Sequence, residues 1–185
     1  EECHEFLHRL AKRERLPQFT SCCPGWVKSA EQHYPEILDN VSTCKSPQQM
    51  FGSVVKKFYA KEMGVEPKDV FVVSIMPCTA KKFEAKRPEF TEDGVPDVDA
   101  VLSTNELGLL LKQAGIVFEE LDGQAFDQPF GLTTGGGVIF GVTGGVAEAV
   151  LRTAADVLKI DLGYVDFKEV RGFQGLREAT VRLGD

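Results

Sequence analysis

The sequence lacks any apolar run approaching the roughly 20 residues that a bilayer-spanning helix needs, so no membrane span is expected. It also lacks the basic-then-apolar opening of a secretory signal, because it starts Glu1-Glu2-Cys3-His4-Glu5. Positive charge is not in excess: 21 Lys plus Arg against 28 Asp plus Glu gives a net charge of −7. That balance excludes a surface built to coat a phosphate backbone or an anionic membrane, and no nucleic-acid partner is expected. Cysteine is sparse, with five residues at positions 3, 22, 23, 44 and 78. The number is odd, two are adjacent, and no C-x-x-C occurs, which makes a poor disulfide framework. A reducing compartment is the better reading, the cytoplasm first with the periplasm left open. The thiols then serve metal or redox chemistry or are buried as small hydrophobes, and burial is the simpler account for any single one. There is no internal repeat and no low-complexity linker.

What is present is ample apolar material, 43% of 185 residues. A chain of this length is expected to bury roughly 70% of its unfolded surface without staples, as one domain or two small lobes. The first residue is not Met, and the chain closes on Val181-Arg182-Leu183-Gly184-Asp185, so it is expected to be a piece of something longer. Residues 2–15 carry Phe6, Leu7 and Leu10 at helical spacing among charges, with Pro17 as the stop. An extended stretch at 18–21 leads into Cys22-Cys23, and Pro24 suits the first turn of a helix reaching about Tyr34. Ser46-Pro47 reads as an N-cap and N1 proline. The helix it opens places Met50, Phe51, Val54, Val55, Phe58 and Tyr59 on its expected inner side, and Gly64 closes it. The run 70–76 reads as a strand buried on both faces, and 98–102 as a second. Ser103 with Glu106 forms a capping box before a helix that stops at Gly115. Residues 85–97 are the most loop-like. A glycine-rich stretch at 133–145, a helix at 146–158 and two strands around Gly172 and Gly175 complete the chain. Strands alternating with helices predict an α/β fold with a mainly parallel sheet flanked by helices.

Cys22-Cys23 and Cys78 each follow a predicted strand, and ligands of open α/β sheets gather beyond the carboxyl ends of strands. If both strands lie in or beside one sheet, the thiols converge at one rim, where thiolate favours zinc, copper(I) or an iron–sulfur cluster. Lys81 and Lys82 follow, either to offset an anionic centre or as solvated charges. The glycine stretch fits neither G-x-G-x-x-G, since position 140 is Phe, nor a Walker loop, since it lacks the lysine. Close backbone approach to a bulky cofactor or to another helix is the better account. His4-Glu5-Phe6-Leu7-His8 matches the zinc-peptidase pattern H-E-x-x-H, but the only other histidine is His33 and nothing marks a third ligand.

Two segments are specific together: Thr20-Ser21-Cys22-Cys23-Pro24-Gly25-Trp26 and Met76-Pro77-Cys78-Thr79-Ala80-Lys81-Lys82-Phe83-Glu84. With Ser46-Pro47-Gln48-Gln49-Met50 and Gly137-Val138-Ile139-Phe140-Gly141-Val142-Thr143-Gly144-Gly145, in that order along the chain, the sequence resembles the catalytic, large-subunit domain of the iron-only ([FeFe]) hydrogenases over essentially its whole length. The resemblance implies two lobes enclosing a six-iron H-cluster. That centre is a [4Fe-4S] cubane joined to a two-iron unit with carbon monoxide, cyanide and a bridging dithiolate amine. The implied reaction interconverts dihydrogen with protons and electrons, the electrons being exchanged with ferredoxin or a redox partner subunit. By resemblance Cys23 and Cys78 are cubane ligands, and Cys22 is the thiol that relays a proton to the bridging amine. Lys81 bonds an iron-bound cyanide, and Gln48, Met76, Pro77 and Phe140 line the two-iron pocket. Ser42, Glu5 and Glu2 form the polar relay leading away from the thiol, which gives Glu5 a role where the zinc pattern offers a false one.

The family's third cysteine signature, which supplies two further ligands, does not occur in these residues, and Cys3 and Cys44 lie outside the motifs. The piece alone is therefore expected to be inactive. A relative that senses hydrogen or assembles iron–sulfur clusters without turnover is the alternative. Such relatives commonly replace the relay thiol, and here Cys22 is kept.

Overall fold

The structure, a computed structural model, describes residues 1–132 and 135–183. Thr133-Thr134, the opening of the glycine-rich stretch, and Gly184-Asp185 lie outside the described residues. In chain order the elements begin with α1 (Glu2–Lys12), α2 (Pro24–His33), a 3₁₀ turn (Pro35–Asn40) and α3 (Pro47–Val54). A π-helical turn (Val55–Tyr59) carries α3 into α4 (Ala60–Met63). Then come β1 (Val73–Met76), α5 (Ala80–Glu84), β2 (Thr91–Glu92), β3 (Val95–Pro96), β4 (Ala100–Ser103) and α6 (Thr104–Gln113). The rest is α7 (Gly135–Ile139), α8 (Gly145–Leu158), β5 (Lys168–Glu169) and β6 (Arg177–Glu178). The class is mixed α/β with a parallel strand pair, and the chain divides into two compact units. Among the described residues no helix is long and apolar enough to cross a membrane.

The first unit takes Glu1–Thr20, Asp39–Ser42 and the chain after Leu132. In it α1 packs against α8. The helix α1 ends at Lys12, ahead of the expected stop at Pro17, because Arg13 turns left-handed (φ 55°) and its N–H returns to the carbonyls of Arg9 and Leu10. The extended stretch expected at 18–21 is only a parallel bridge between Phe19 and Val41. Phe19 N donates to Asn40 O at 2.9 Å, and Ser42 N donates to Phe19 O at 2.7 Å. Glycine is required at the head of α8, since a Cβ on Gly145 would lie 1.8 Å from the Ile139 carbonyl oxygen. The close approach anticipated for this stretch is therefore to the backbone of α7. The tail forms the antiparallel β5–β6 pair about its glycines, as expected.

The second unit takes Ser21–Leu38 and Thr43–Leu132. Its β1 and β4 pair in parallel, from Val73 opposite Ala100 to Met76 opposite Ser103, with α5 and α6 packed on them. Ser46 caps α3, with its hydroxyl accepting from Gln49 N, Pro47 stands at N1, and Gly64 (φ 69°) closes α4. The Ser103–Glu106 capping box is complete.

Three expectations need correction. The inner face of α3 and its extension is not Phe51 and Phe58, which are 56% and 65% exposed, but Gln48, Gln49, Gly52, Lys56 and Ala60. Helix α3 approaches the backbone at Asp97 so closely that a Cβ on Gly52 would stand 2.4 Å from that carbonyl oxygen. Only the face carrying the small residue fits, whatever its polarity. Strand β1 is not buried on both faces: Phe71, Val73 and Ile75 are exposed, and Ser74 and Met76 point to the covered side. Residues 85–97 are not simply a loop, because Asp93 (φ 51°) and Gly94 (φ 79°) turn β2 into β3 as a tight hairpin, the Asp-Gly signature of a type I′ turn.

Candidate active site

The second unit brings the two cysteine segments together, but not through a shared sheet. The bridge at Phe19 and strand β1 belong to different pairings among the described residues. What joins the segments is the packing of α2 on α5. Cys23 is the N-cap of α2, its thiol accepting from Trp26 N at 3.4 Å. Next to it Gly25 has no side chain, and a Cβ there would touch both Cys23 Sγ (3.9 Å) and Ala80 Cβ (4.0 Å). Ser21 Oγ donates to Cys44 O at 2.5 Å, which pins the turn from the other side. Across from it, β1 ends at Met76, Pro77 and Cys78 form an exposed turn, and Lys81 N closes onto Cys78 O at 3.2 Å to start α5. Cys23 and Cys78 are both exposed thiols, and Cys22 is half-buried.

Lys81 ties the two turns. It is 5% exposed, and its ammonium donates to Cys22 O at 2.8 Å and to Glu84 Oε2 at 3.2 Å. A longer contact reaches Glu84 Oε1 at 3.5 Å, so each of the three donors of the primary ammonium has an acceptor inside the unit. Gln48, on the first turn of α3, accepts from Ser74 Oγ at 2.8 Å and donates to Glu84 Oε2 at 3.2 Å. Ser46 Oγ donates to that same oxygen at 2.9 Å. Lys82, the next residue, points elsewhere as helical geometry requires, and pairs with Glu106 at 2.5 Å on the surface. That lysine, ahead of the Ser103 backbone N–H and hydroxyl, holds the Glu106 carboxyl down at about 2.

Glu2, Glu5, Ser42 and Phe140 belong to the first unit. Glu5 forms an ion pair with Arg9 at 2.6 Å and accepts from Ser42 Oγ at 2.6 Å. Ser42 is buried, Glu2 is half-buried on the first turn of α1, and Phe140 is exposed. Burial pushes the Cys3 thiol pKa up, which leaves it a poorer thiolate donor than an exposed cysteine. Among the described residues no three His, Cys, Asp or Glu side chains stand together as a metal site. The H-E-x-x-H pattern accordingly has no third ligand there. Sequence reasoning missed Glu84, Ser74 and Arg9. For Glu84 a signal was available, since Lys81 and Glu84 stand at i, i+3 and so share a helix face.

The doubled thiol stands at the head of one helix, the single thiol at the head of another, and a buried lysine lies between their turns. All 185 residues match the family described as "Iron only hydrogenase large subunit, C-terminal domain", and the chain belongs to that family. It is 52% identical over 189 residues to the periplasmic [Fe] hydrogenase large subunit of Nitratidesulfovibrio vulgaris, covering all of this chain and 44% of that one. With iron hydrogenase 1 of Clostridium pasteurianum the identity is 47% over 186 residues, covering all of this chain and 32% of that protein. Among solved structures, an apo [FeFe]-hydrogenase from Chlamydomonas reinhardtii superposes with a TM-score of 0.84 at 45% identity, covering 96% of this chain and 45% of that one. The chain thus spans less than half the length of these relatives. Relatives between 36% and 39% identical include cytosolic iron–sulfur assembly proteins.

Proposed function

We propose that this chain is the part of a hydrogenase catalytic domain that holds one side of the cubane and anchors the two-iron unit. The observation that carries the reading is Lys81: a buried ammonium between two cysteine turns, held by the Cys22 carbonyl and the Glu84 carboxylate, its longest contact being 3.5 Å to Glu84 Oε1. The donor set fits the proposed group. Cys23 and Cys78 are soft, exposed thiols at the heads of packed helices, suited to iron as thiolates, and they are two of the four ligands a cubane takes. When bound, the six-iron centre supplies the redox chemistry that interconverts dihydrogen with protons and electrons.

The remaining roles belong to the chain's own groups. Cys22 moves the proton, since a thiol is a stronger acid than a serine hydroxyl and exchanges protons more readily. Glu5 and Ser42, hydrogen-bonded to one another, are stations of a relay that includes Glu2. Gln48, Met76 and Pro77 would line the two-iron pocket, and Lys81 would offset the charge of its cyanide ligands. Electrons pass to ferredoxin or to a redox partner subunit. Retention of Cys22, and the higher identity to hydrogenases than to assembly proteins, favour turnover over a cluster-assembly or sensing role.

The test uses a parent chain that contains this domain. Hydrogen evolution from a chemical reductant is expected, and Cys78→Ala is expected to lower iron and acid-labile sulfide sharply, since no other side chain replaces a thiolate there. Unchanged iron and sulfide in that variant would sink the ligand assignment.

A further inference from the structure

Glu84 carries no role in the reading so far, yet it is the most connected buried side chain of the second unit. It is 3% exposed. Its carboxylate accepts from Ser46 Oγ at 2.9 Å, from Gln48 Nε2 at 3.2 Å and from Lys81 Nζ at 3.2 Å. A longer Lys81 contact, at 3.5 Å, reaches its other oxygen. A buried ion pair is weak evidence for stability, because apolar residues of similar volume often serve the fold as well. The arrangement therefore calls for another reason, and its donors indicate one. Gln48 and Lys81 are both assigned to the two-iron pocket, they come from different helices, and they meet on this one carboxylate.

We propose that Glu84 is a positioning residue that fixes the Lys81 ammonium and the Gln48 amide for the two-iron unit. Lys81 is a point charge on a flexible four-carbon stem. Held by Glu84 and by the Cys22 carbonyl, its head is fixed in place, and the long 3.5 Å contact to the second Glu84 oxygen is the one an anionic ligand would replace. Gln48 is fixed in sense as well as place: Ser74 donates to its oxygen, so its nitrogen is the end that meets Glu84. Ser46 completes the set, since the hydroxyl that caps α3 also bonds Glu84 and so couples the start of that helix to α5. The inference rests on the reading of Lys81 given above.

The test again uses the parent hydrogenase chain, loaded with both parts of its centre. Iron and sulfide measure the cubane, and the infrared bands of bound carbon monoxide and cyanide measure the two-iron unit. Glu84→Gln keeps the shape but sets an amide N–H₂ against the ammonium or against the Gln48 amide. Its two-iron signal per cubane is expected to fall about tenfold, equivalent to about 1.4 kcal/mol, with the residual cyanide bands shifted. Lys81→Ala should match it, the double variant should be no worse than Lys81→Ala alone, and Glu84→Asp should recover part of the signal. A full two-iron signal with unshifted cyanide bands in Glu84→Gln, beside a defective Lys81→Ala, overturns the proposal and leaves the Lys81 reading standing. A full signal in Lys81→Ala overturns both. Should Glu84→Gln fail to fold, shown by loss of the cubane, Ser46→Ala decides: shifted cyanide bands support the coupling and unshifted bands overturn it.

Discussion

Both units bury long cations beside carboxylates, Arg9 in the first and Lys56 and Lys81 in the second, and Arg9 and Lys81 are used differently. In the first unit the Arg9 guanidinium donates to Glu5 and to the carbonyls of Arg15, Asn40 and Val41. Four of its five donors thus serve the unit's own chain, and three of those bonds go to backbone. In the second unit Lys81 ties one carbonyl, that of Cys22, and both oxygens of one carboxylate, that of Glu84. A planar fork with fixed directions suits the first task, and a compact ammonium with rotatable donors suits the second. Arg9, with most of its bonds on backbone carbonyls, holds chain segments together, whereas Lys81, with most of its bonding on one side-chain carboxylate, is fixed relative to other side chains.

The largest expected effect breaks the first half of that comparison. Arg9→Ala should cost about 3 kcal/mol of unfolding free energy, because it removes the buried counter-charge of Glu5 and three bonds to backbone carbonyls. Chemical denaturation of the parent chain checks this, and a loss below about 1 kcal/mol would mean that the guanidinium bonds are incidental.

The next prediction separates kinetics from stability. Cys22→Ser should slow hydrogen evolution by roughly 10²-fold or more while leaving the denaturation midpoint and the infrared bands in place. Glu5→Gln should also slow turnover, but it removes the counter-charge of Arg9 as well, so its midpoint should fall. Full activity in Cys22→Ser would reduce that thiol to a packing residue.

Smaller effects come from Lys82, the control for Lys81. Lys82→Ala removes a half-exposed surface pair, and the melting temperature should move by no more than about 2 °C with the two-iron bands unchanged. A two-iron defect equal to that of Lys81→Ala would show that the register of α5 is misread.

The smallest effect is a pH dependence. The Glu106 carboxyl is held at about 2, first by its hydrogen bond from Lys82 and then by Ser103. In an unfolded chain its value is near 4.3. A depressed folded pKa contributes stability that is complete above the unfolded value and is lost as pH falls through the folded one. Glu106→Gln should therefore flatten the acid limb of stability between about pH 4.5 and 2 and change nothing near neutrality. An acid limb identical to the parent's would show that this carboxyl is not held down by the pair.

Local signals were legible where the chemistry is local. The Ser46 cap and Pro47, the Ser103–Glu106 box, the Pro24 start of α2 and the parallel pairing of the two apolar strands are all present. Each depends on neighbours within a few residues or on a short apolar run. The inner face of α3 was misjudged because periodicity places apolar residues inward, whereas the backbone at Asp97 admits only the face carrying Gly52. The hairpin at 91–96 was missed through its turn chemistry, which Asp93-Gly94 announces.

By itself the sequence determined the family, since four ordered segments with their cysteines and Lys81 survive without any coordinates. It also determined the ends of most helices, because caps are contacts over three or four residues. Only the tertiary structure decided what those residues touch. The meeting of Cys22 and Lys81 spans 59 positions and that of Ser46 and Glu84 spans 38. Such distances in the chain are closed by helix packing, which no local pattern encodes. The choice of Arg9 as a clamp and of Glu84 as a hub follows from the same fact: a charge is buried only where the fold brings it partners from elsewhere in the chain.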